Sequence, residues 1–240
     1  MEKFTVESFF NGQLRLTQPK TGYRYTIDPV ILCSQIIPLP GSKILDIGCG
    51  CGIMELILGF RYPQTLILGV EIQEALAVIA QKNVLENHME KQISIIHKNI
   101  SHVSGIETKG PVDLIIANPP YQKAGTGRLP PIDQRAIARH EVKLNIHALF
   151  AKAEELLKPG GKLMLIFPAD RLVDLTCAMD DTAIRPEWFR FVHTRHGQDA
   201  KRVIFSGVKN TGPSCRVLAP LHLYDKKNKP TKTYHALFNP

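Results

Sequence analysis

The chain reads as an α/β protein built on a mostly parallel sheet with helices on both faces, and three observations predict this. Strand-like and helix-like patterns alternate after residue 42, as crossover units require. The first apolar strand runs directly into a glycine-rich loop, Asp46-Ile47-Gly48-Cys49-Gly50-Cys51-Gly52, and then into a helical stretch. A later apolar run, Val112 to Ala117, ends on Asn118-Pro119-Pro120-Tyr121.

In chain order, residues 1–41 form a lead-in or cap, with Phe9-Phe10-Asn11-Gly12-Gln13-Leu14-Arg15-Leu16 patterned as strand, turn, strand. Residues 42–240 form the main domain. Its strands are expected at Lys43 to Ile47, Leu66 to Ile72, Ile93 to His97, Val112 to Ala117 and Lys162 to Phe167. Helices are expected at Ile53 to Arg61, Gln73 to Asn87, Asn145 to Leu157 and Asp170 to Met179. Pro159-Gly160-Gly161 should stop the helix that ends at Leu157 and turn the chain into the fifth strand. Beyond Pro186, the runs Phe189 to Thr194, Arg202 to Val208 and Val217 to Tyr224 read as strands that extend one edge of the sheet antiparallel. The longest unpatterned segment, Gln122 to Leu144, has the length of a functional or disordered loop.

At 240 residues with 44% apolar composition, the chain suits one large domain and a sizeable core. No apolar run is long enough to cross a membrane as a helix, and Met1-Glu2-Lys3-Phe4 lacks the order of a signal peptide, so a cytoplasmic protein is expected. Five cysteines, two of them in the glycine loop, form neither a disulfide framework nor a metal cluster. Cys49 and Cys51 read as small loop fillers, and no metal is expected. The net charge of +8 and pI near 9.3 have the sign expected for a polyanion partner. Much of the excess is bunched between Arg185 and Lys209 and again from Lys226 to Lys232.

Glycines let a loop backbone approach a ligand with no side chain between. An acidic residue about 20 positions beyond such a loop, here Glu71, is what a dinucleotide fold places on ribose, so a dehydrogenase stays open on these residues alone.

With the tetrapeptide added, the chain resembles the class I S-adenosylmethionine-dependent methyltransferases over roughly residues 40–210. In particular it looks like the tRNA1(Val) adenine-37 N6-methyltransferase family. Echoes of that family lie at Gly22-Tyr23-Arg24-Tyr25-Thr26-Ile27-Asp28, at Ala138-Arg139-His140-Glu141, and at Phe191-Val192-His193 with Ala200-Lys201-Arg202-Val203. The resemblance implies a Rossmann-like, mostly parallel sheet of seven strands and S-adenosylmethionine as methyl donor. It puts Asp46, Gly48, Cys49, Gly50 and Gly52 in the donor loop and both ribose hydroxyls on Glu71, followed by Ile72. Asn99 and Ile100 stand at the third strand end. Asn99 replaces an Asp common in related enzymes, and it can still offer both a donor and an acceptor to an adenine edge.

The acceptor is expected to be an exocyclic amine, whose lone pair is delocalised into its ring. The Asn118 side-chain oxygen and the Pro119 carbonyl can accept the two amine protons and favour a pyramidal nitrogen. Pro119 and Pro120 stiffen the loop, and Tyr121 can stack on the base. Asn118 would also border the donor. RNA contacts are expected from Tyr23, Arg24, Arg128, Arg135, Arg139, His140, Lys201 and Arg202, where cations and aromatics interleave.

These features predict a monomeric tRNA adenine N6-methyltransferase, with the adenine 3′ to the anticodon of a valine tRNA as the implied target. A release-factor glutamine methyltransferase uses the same tetrapeptide, but a helical domain precedes its glycine loop, and here the lead-in is short. A DNA adenine methyltransferase would need a larger insertion than residues 122–144. Ribosomal RNA stays open as a substrate. A catalytically silent RNA-binding module is the rival outside enzymology.

Overall fold

The computed structural model describes residues 4–21, 24–119, 145–212 and 214–239. The chain opens with an antiparallel hairpin, β1 (Phe4–Phe9) and β2 (Leu14–Pro19), registered Phe9 to Leu14. Its turn places Phe10, Asn11 and Gly12 at positive φ. Phe9, Phe10, Leu14 and Leu16 are buried in the same core as the helices of the main domain, so the hairpin is packed onto it.

A short helix α1 (Asp28–Cys33), with Pro29 in its first turn, leads into the alternating core. In order follow β3 (Lys43–Ile47), α2 (Ile53–Arg61), β4 (Leu66–Glu71), α3 (Glu74–Glu86), β5 (Ile93–His97) and β6 (Val112–Ala117). Beyond the acceptor segment come α4 (Ile146–Leu156), β7 (Leu157–Pro168), α5 (Leu172–Asp180), β8 (Ile184–Arg195), β9 (Ala200–Lys209), β10 (Arg216–Tyr224) and α6 (Lys232–Leu237).

Among the described residues the main sheet has eight strands, ordered β10-β8-β9-β7-β6-β3-β4-β5. Alternate strand residues point to opposite faces, and each face carries its own core. Ile44, Ile67, Leu114 and Ile116 pack with α1, α2 and α3, while Leu45, Ile47, Ile115 and Leu165 pack with α4 and α5. Burial on both faces is why these strands read as continuous apolar runs.

The Rossmann-like architecture is as expected, and the strand count is one more than the seven implied. The extra strand is β10, which pairs parallel with β8 at the edge. The last three strands were expected to run antiparallel, yet only β9 does so, pairing with β7 on one side and β8 on the other. The tight turn after Arg195 reverses the chain into β9. β10 pairs with β8, beyond β9, and regains the direction of the core. Pro159-Gly160-Gly161 also acts differently from its reading. The helix ends at Leu156 on its own, and the triplet is a bulge inside β7, between the pairs Val112–Leu157 and Leu114–Lys162. Gly160 has φ +76°, and a Cβ at Gly161 would stand 2.9 Å from the Lys158 carbonyl oxygen.

Candidate active site at the strand ends

The first four core strands, β3 to β6, run parallel, so their C-terminal ends share one rim. That rim gathers Gly48 to Gly52 after β3, Glu71 and Ile72 at β4, Asn99 and Ile100 after β5, and Asn118 and Pro119 after β6. Since Ile47 is registered with Ala117, Gly48 and Asn118 are the first residues beyond the ends of neighbouring strands, whose backbones run about 5 Å apart. Asn118 is half-buried and Pro119 buried. Pro120, Tyr121, Arg128, Arg135, Arg139, His140 and Tyr23 lie outside the described residues.

The glycine loop is held to its neighbouring strand by its own N–H groups. Its N–H groups point into β4: those of Gly48 and Cys49 donate to the Val70 carbonyl at 2.9 and 3.1 Å, and that of Gly50 to Glu71 Oε2 at 2.9 Å. What the loop offers a ligand is bare backbone. Gly48 has φ +80°, and a Cβ there would meet nothing within 4 Å, whereas one on Gly52 would press on Ala80 Cβ of α3 at 3.3 Å. The first glycine therefore borders open space, and the last closes the loop onto a helix.

Glu71 is 4% exposed. Its Oε1 accepts the Gln73 N–H at 2.8 Å, so the carboxylate bridges the loop and the start of α3. Burial raises its pKa, and the N–H groups of Gln73, Gly50 and Ile72 oppose that rise. Each oxygen retains a lone pair for a hydroxyl donor. The Asn99 side chain accepts the Ser101 N–H at 3.0 Å and caps a short 3-10 turn, Ile100–His102. Its amide NH2 group is the part suited to a ligand's acceptor.

Asp46 is wholly buried under the loop, and beside it lies a residue the sequence reading missed, Glu55 of α2, also 0% exposed. All four of their carboxyl oxygens are buried. Burial first, then the charge and hydrogen bond of Glu55, pushes Asp46 upward; burial also raises Glu55, against hydrogen bonds from its own N–H, Asp46 and Cys49. Two ionised carboxylates cannot face each other in a dry site, so one proton is shared and makes one carboxyl the donor to the other. Gly69 makes room for the pair, since a Cβ there would fall 2.3 Å from Glu55 Oε1. The available signal was an acid inside the apolar run Ile53-Met54-Glu55-Leu56-Ile57-Leu58. The thiols of Cys49 and Cys51 are buried and pushed up, that of Cys51 to about 12, so they are inert fillers.

Two cations expected to contact RNA also make ion pairs within the chain. Arg24 pairs with Glu7 at 2.8 Å and donates to Thr5 and the Pro19 carbonyl, tying the lead-in to the hairpin. Arg202 Nε lies 2.9 Å from Asp28 Oδ2. That pair joins two distant segments singled out in the sequence, residues 22–28 and 200–203. Lys201 is exposed. Among the described residues no group of three or more His, Cys, Asp or Glu is arranged to hold a metal ion, and no helix is long and apolar enough to cross a membrane.

The sequence profile of the methyltransferase small domain family matches residues 29–174. A tRNA1(Val) (adenine(37)-N6)-methyltransferase of Porphyromonas gingivalis is 39% identical over 133 residues, covering 55% of this chain and 51% of that protein. The chain thus matches about half the length of that relative. A protein of the same name from a Shewanella strain is 32% identical over 201 residues, 82% of each chain. Among solved structures, a protein of Agrobacterium tumefaciens described as a predicted O-methyltransferase superposes with TM-score 0.71 at 18% identity, covering 88% of this chain and 94% of that one. The last likeness is one of fold.

Proposed function

We propose, from the premise that this chain belongs to the methyltransferase small domain family, that it is a tRNA adenine N6-methyltransferase. It uses S-adenosylmethionine, and its target is the adenine at position 37 of a valine tRNA. The observation that carries this reading is the adjacency of the glycine loop and Asn118 on neighbouring strands of one rim. The names of the relatives that match along most of this chain support the substrate. The reading makes the protein a cytoplasmic enzyme that acts as a monomer.

The rim fits the donor. The open space at Gly48 admits a ligand against bare backbone, and Glu71 can accept hydroxyls beside the loop. The amide of Asn99, backed by Ile100, suits an adenine edge, and Ile72 lines the turn after Glu71. When bound, S-adenosylmethionine supplies an electrophilic methyl group on a sulfonium.

The chain's own residues supply position and polarity. Asn118 Oδ1 and the Pro119 carbonyl take the two protons of the acceptor amine as hydrogen bonds, turning its lone pair toward the methyl group. The bound donor would supply the methyl carbon for the new nitrogen–carbon bond and keep the electron pair of its sulfur–carbon bond, and the amine's surplus proton would leave to solvent. No strong base is needed, because the nitrogen becomes acidic as charge develops. Alignment and electrostatics thus carry most of the acceleration. Tyr121 and Pro120 would complete the base pocket, with Tyr23, Arg128, Arg135, Arg139 and His140 around it. Turning the target base out of its stack costs a few kcal/mol.

The test offers purified tRNA, ribosomal RNA and release factor in parallel with labelled S-adenosylmethionine, followed by analysis of the labelled nucleosides. The expected result is N6-methyladenosine in tRNA. Label in ribosomal RNA or in release factor would overturn the substrate assignment.

A further inference from the structure

Three imidazoles stack at the sheet edge, where the methyl-transfer site has no use for them. His193, near the end of β8, and His222, its register partner on β10, have ring centroids 5.0 Å apart with 25° between their planes. His196, in the turn after β8, stacks on His222 at 5.0 Å and 28°. The assembly is fixed in place. His193 Nδ1 stands 2.6 Å from the Gln198 carbonyl oxygen, and the His196 backbone N–H donates to the Tyr224 carbonyl at 3.2 Å. The rings are not core, for His196 is exposed and the other two are half-buried.

The surroundings are cationic and aromatic. Arg195, Lys201, Lys226, Lys227 and Lys229 are exposed. The neighbouring carboxylates are Asp199 and Asp225, the second of which accepts the N–H groups of Lys227 and Lys229. Arg202 is paired with Asp28. By strand alternation Phe189 and Phe191 share the sheet face of His193, half-buried, and Val217, registered with Phe189, is 70% exposed. β8 and β10 run in the direction of β6, so the histidines stand at the acceptor rim. They lie three and four strands from β6, about 14 and 19 Å at ordinary spacing.

Stacked imidazoles resist charging together. Partial burial, then His193 and His196, hold His222 below the ordinary histidine value. At neutral pH the His222 ring is therefore an aromatic surface with little charge, and an anion laid on it would favour its protonated form.

We propose that the His193–His222–His196 stack, with Arg195, Lys201 and the Lys226–Lys229 turn, docks the backbone and unstacked bases of the RNA flanking the target adenine, and takes up protons as it does so. This rests on the RNA reading of the acceptor site. Base faces stack on the rings and phosphates meet the cations.

The test is the affinity of the full chain for unmodified tRNA between about pH 5.5 and 7.5 at fixed salt, for the native protein, His196→Asn and His196→Asn with His222→Asn. The native affinity should tighten about tenfold or more as pH falls. The double variant should lose most of that dependence, while its donor affinity, the check on folding, stays within about twofold. A native-like pH dependence in the folded double variant overturns the proposal. Should the double variant not fold, His196→Asn by itself must lose about a third or more of the dependence, and an unchanged slope there overturns the proposal equally. Failure of the enzymatic reading is separate: it shows as no methylated adenosine in tRNA that the protein still binds with the native pH dependence.

Discussion

Glu55 sits where an acid is costly, buried against the Cα of Gly69 with Asp46 as its partner. Its pKa is raised from 4.5 to about 7, chiefly by burial. The folded chain therefore holds a proton that the unfolded chain releases. The stability tied to that proton is complete below about pH 4.5 and is lost as pH rises through about 7. Glu55→Gln keeps the shape and a donor toward Asp46 but cannot ionise. Its unfolding free energy, followed by urea denaturation across about pH 5 to 8, should fall less than the native protein's, by on the order of 3 kcal/mol. Parallel pH profiles would contradict the shared proton. Asp46 was legible because it stands in a recognisable loop, whereas an acid inside a helix reads as its solvent stripe until the packing on both sides is known. For Arg24 and Arg202 the sequence displays the cation's charge and hides its partners within the chain, Glu7 and Asp28.

Among the elements, two amides tie the hairpin to α3 and its end, Asn87 through both backbone groups of Arg15 and Asn83 through those of Thr17. Asn83 of α3, 0% exposed, accepts the Thr17 N–H and donates to the carbonyls of Thr17 and Cys51, each at 2.8 Å. It thereby links β2 to the glycine loop. Asn83→Ala should cost about 2–3 kcal/mol by leaving buried groups without partners, and hydrogen exchange should rise in both β2 and the loop. Exchange confined to the hairpin would show that the two are not linked. At the start of β9, Lys201→Glu should weaken tRNA binding and flatten its salt dependence with little change in melting temperature. Arg202→Glu should lower stability through the orphaned Asp28. Equal stability of the two variants would contradict that assignment. The hairpin and the core strands were legible from alternation and apolar runs. The direction of β10 was not, because it depends on β8, and not β9, presenting the free edge of the sheet, which the sequence pattern does not show.

At the scale of the whole molecule, one sheet direction does most of the organising. Parallel strands bring residues 48, 71, 99 and 118 to a single rim, and the same direction, regained by β8 and β10, puts the histidine stack there too. The motifs at Gly48 and Asn118 were legible because each follows an apolar strand. Their adjacency was legible only once β3 and β6 were known to be neighbours. The central claim is that donor and acceptor occupy separable sites on this rim, and Asn118→Ala tests it most directly. In single-turnover methylation of unmodified valine tRNA, with donor binding measured on the same samples, the account predicts a rate loss of about a hundredfold or more and donor affinity within a few fold of native. Near-native methylation by the variant, or loss of donor binding in step with the rate, would contradict it.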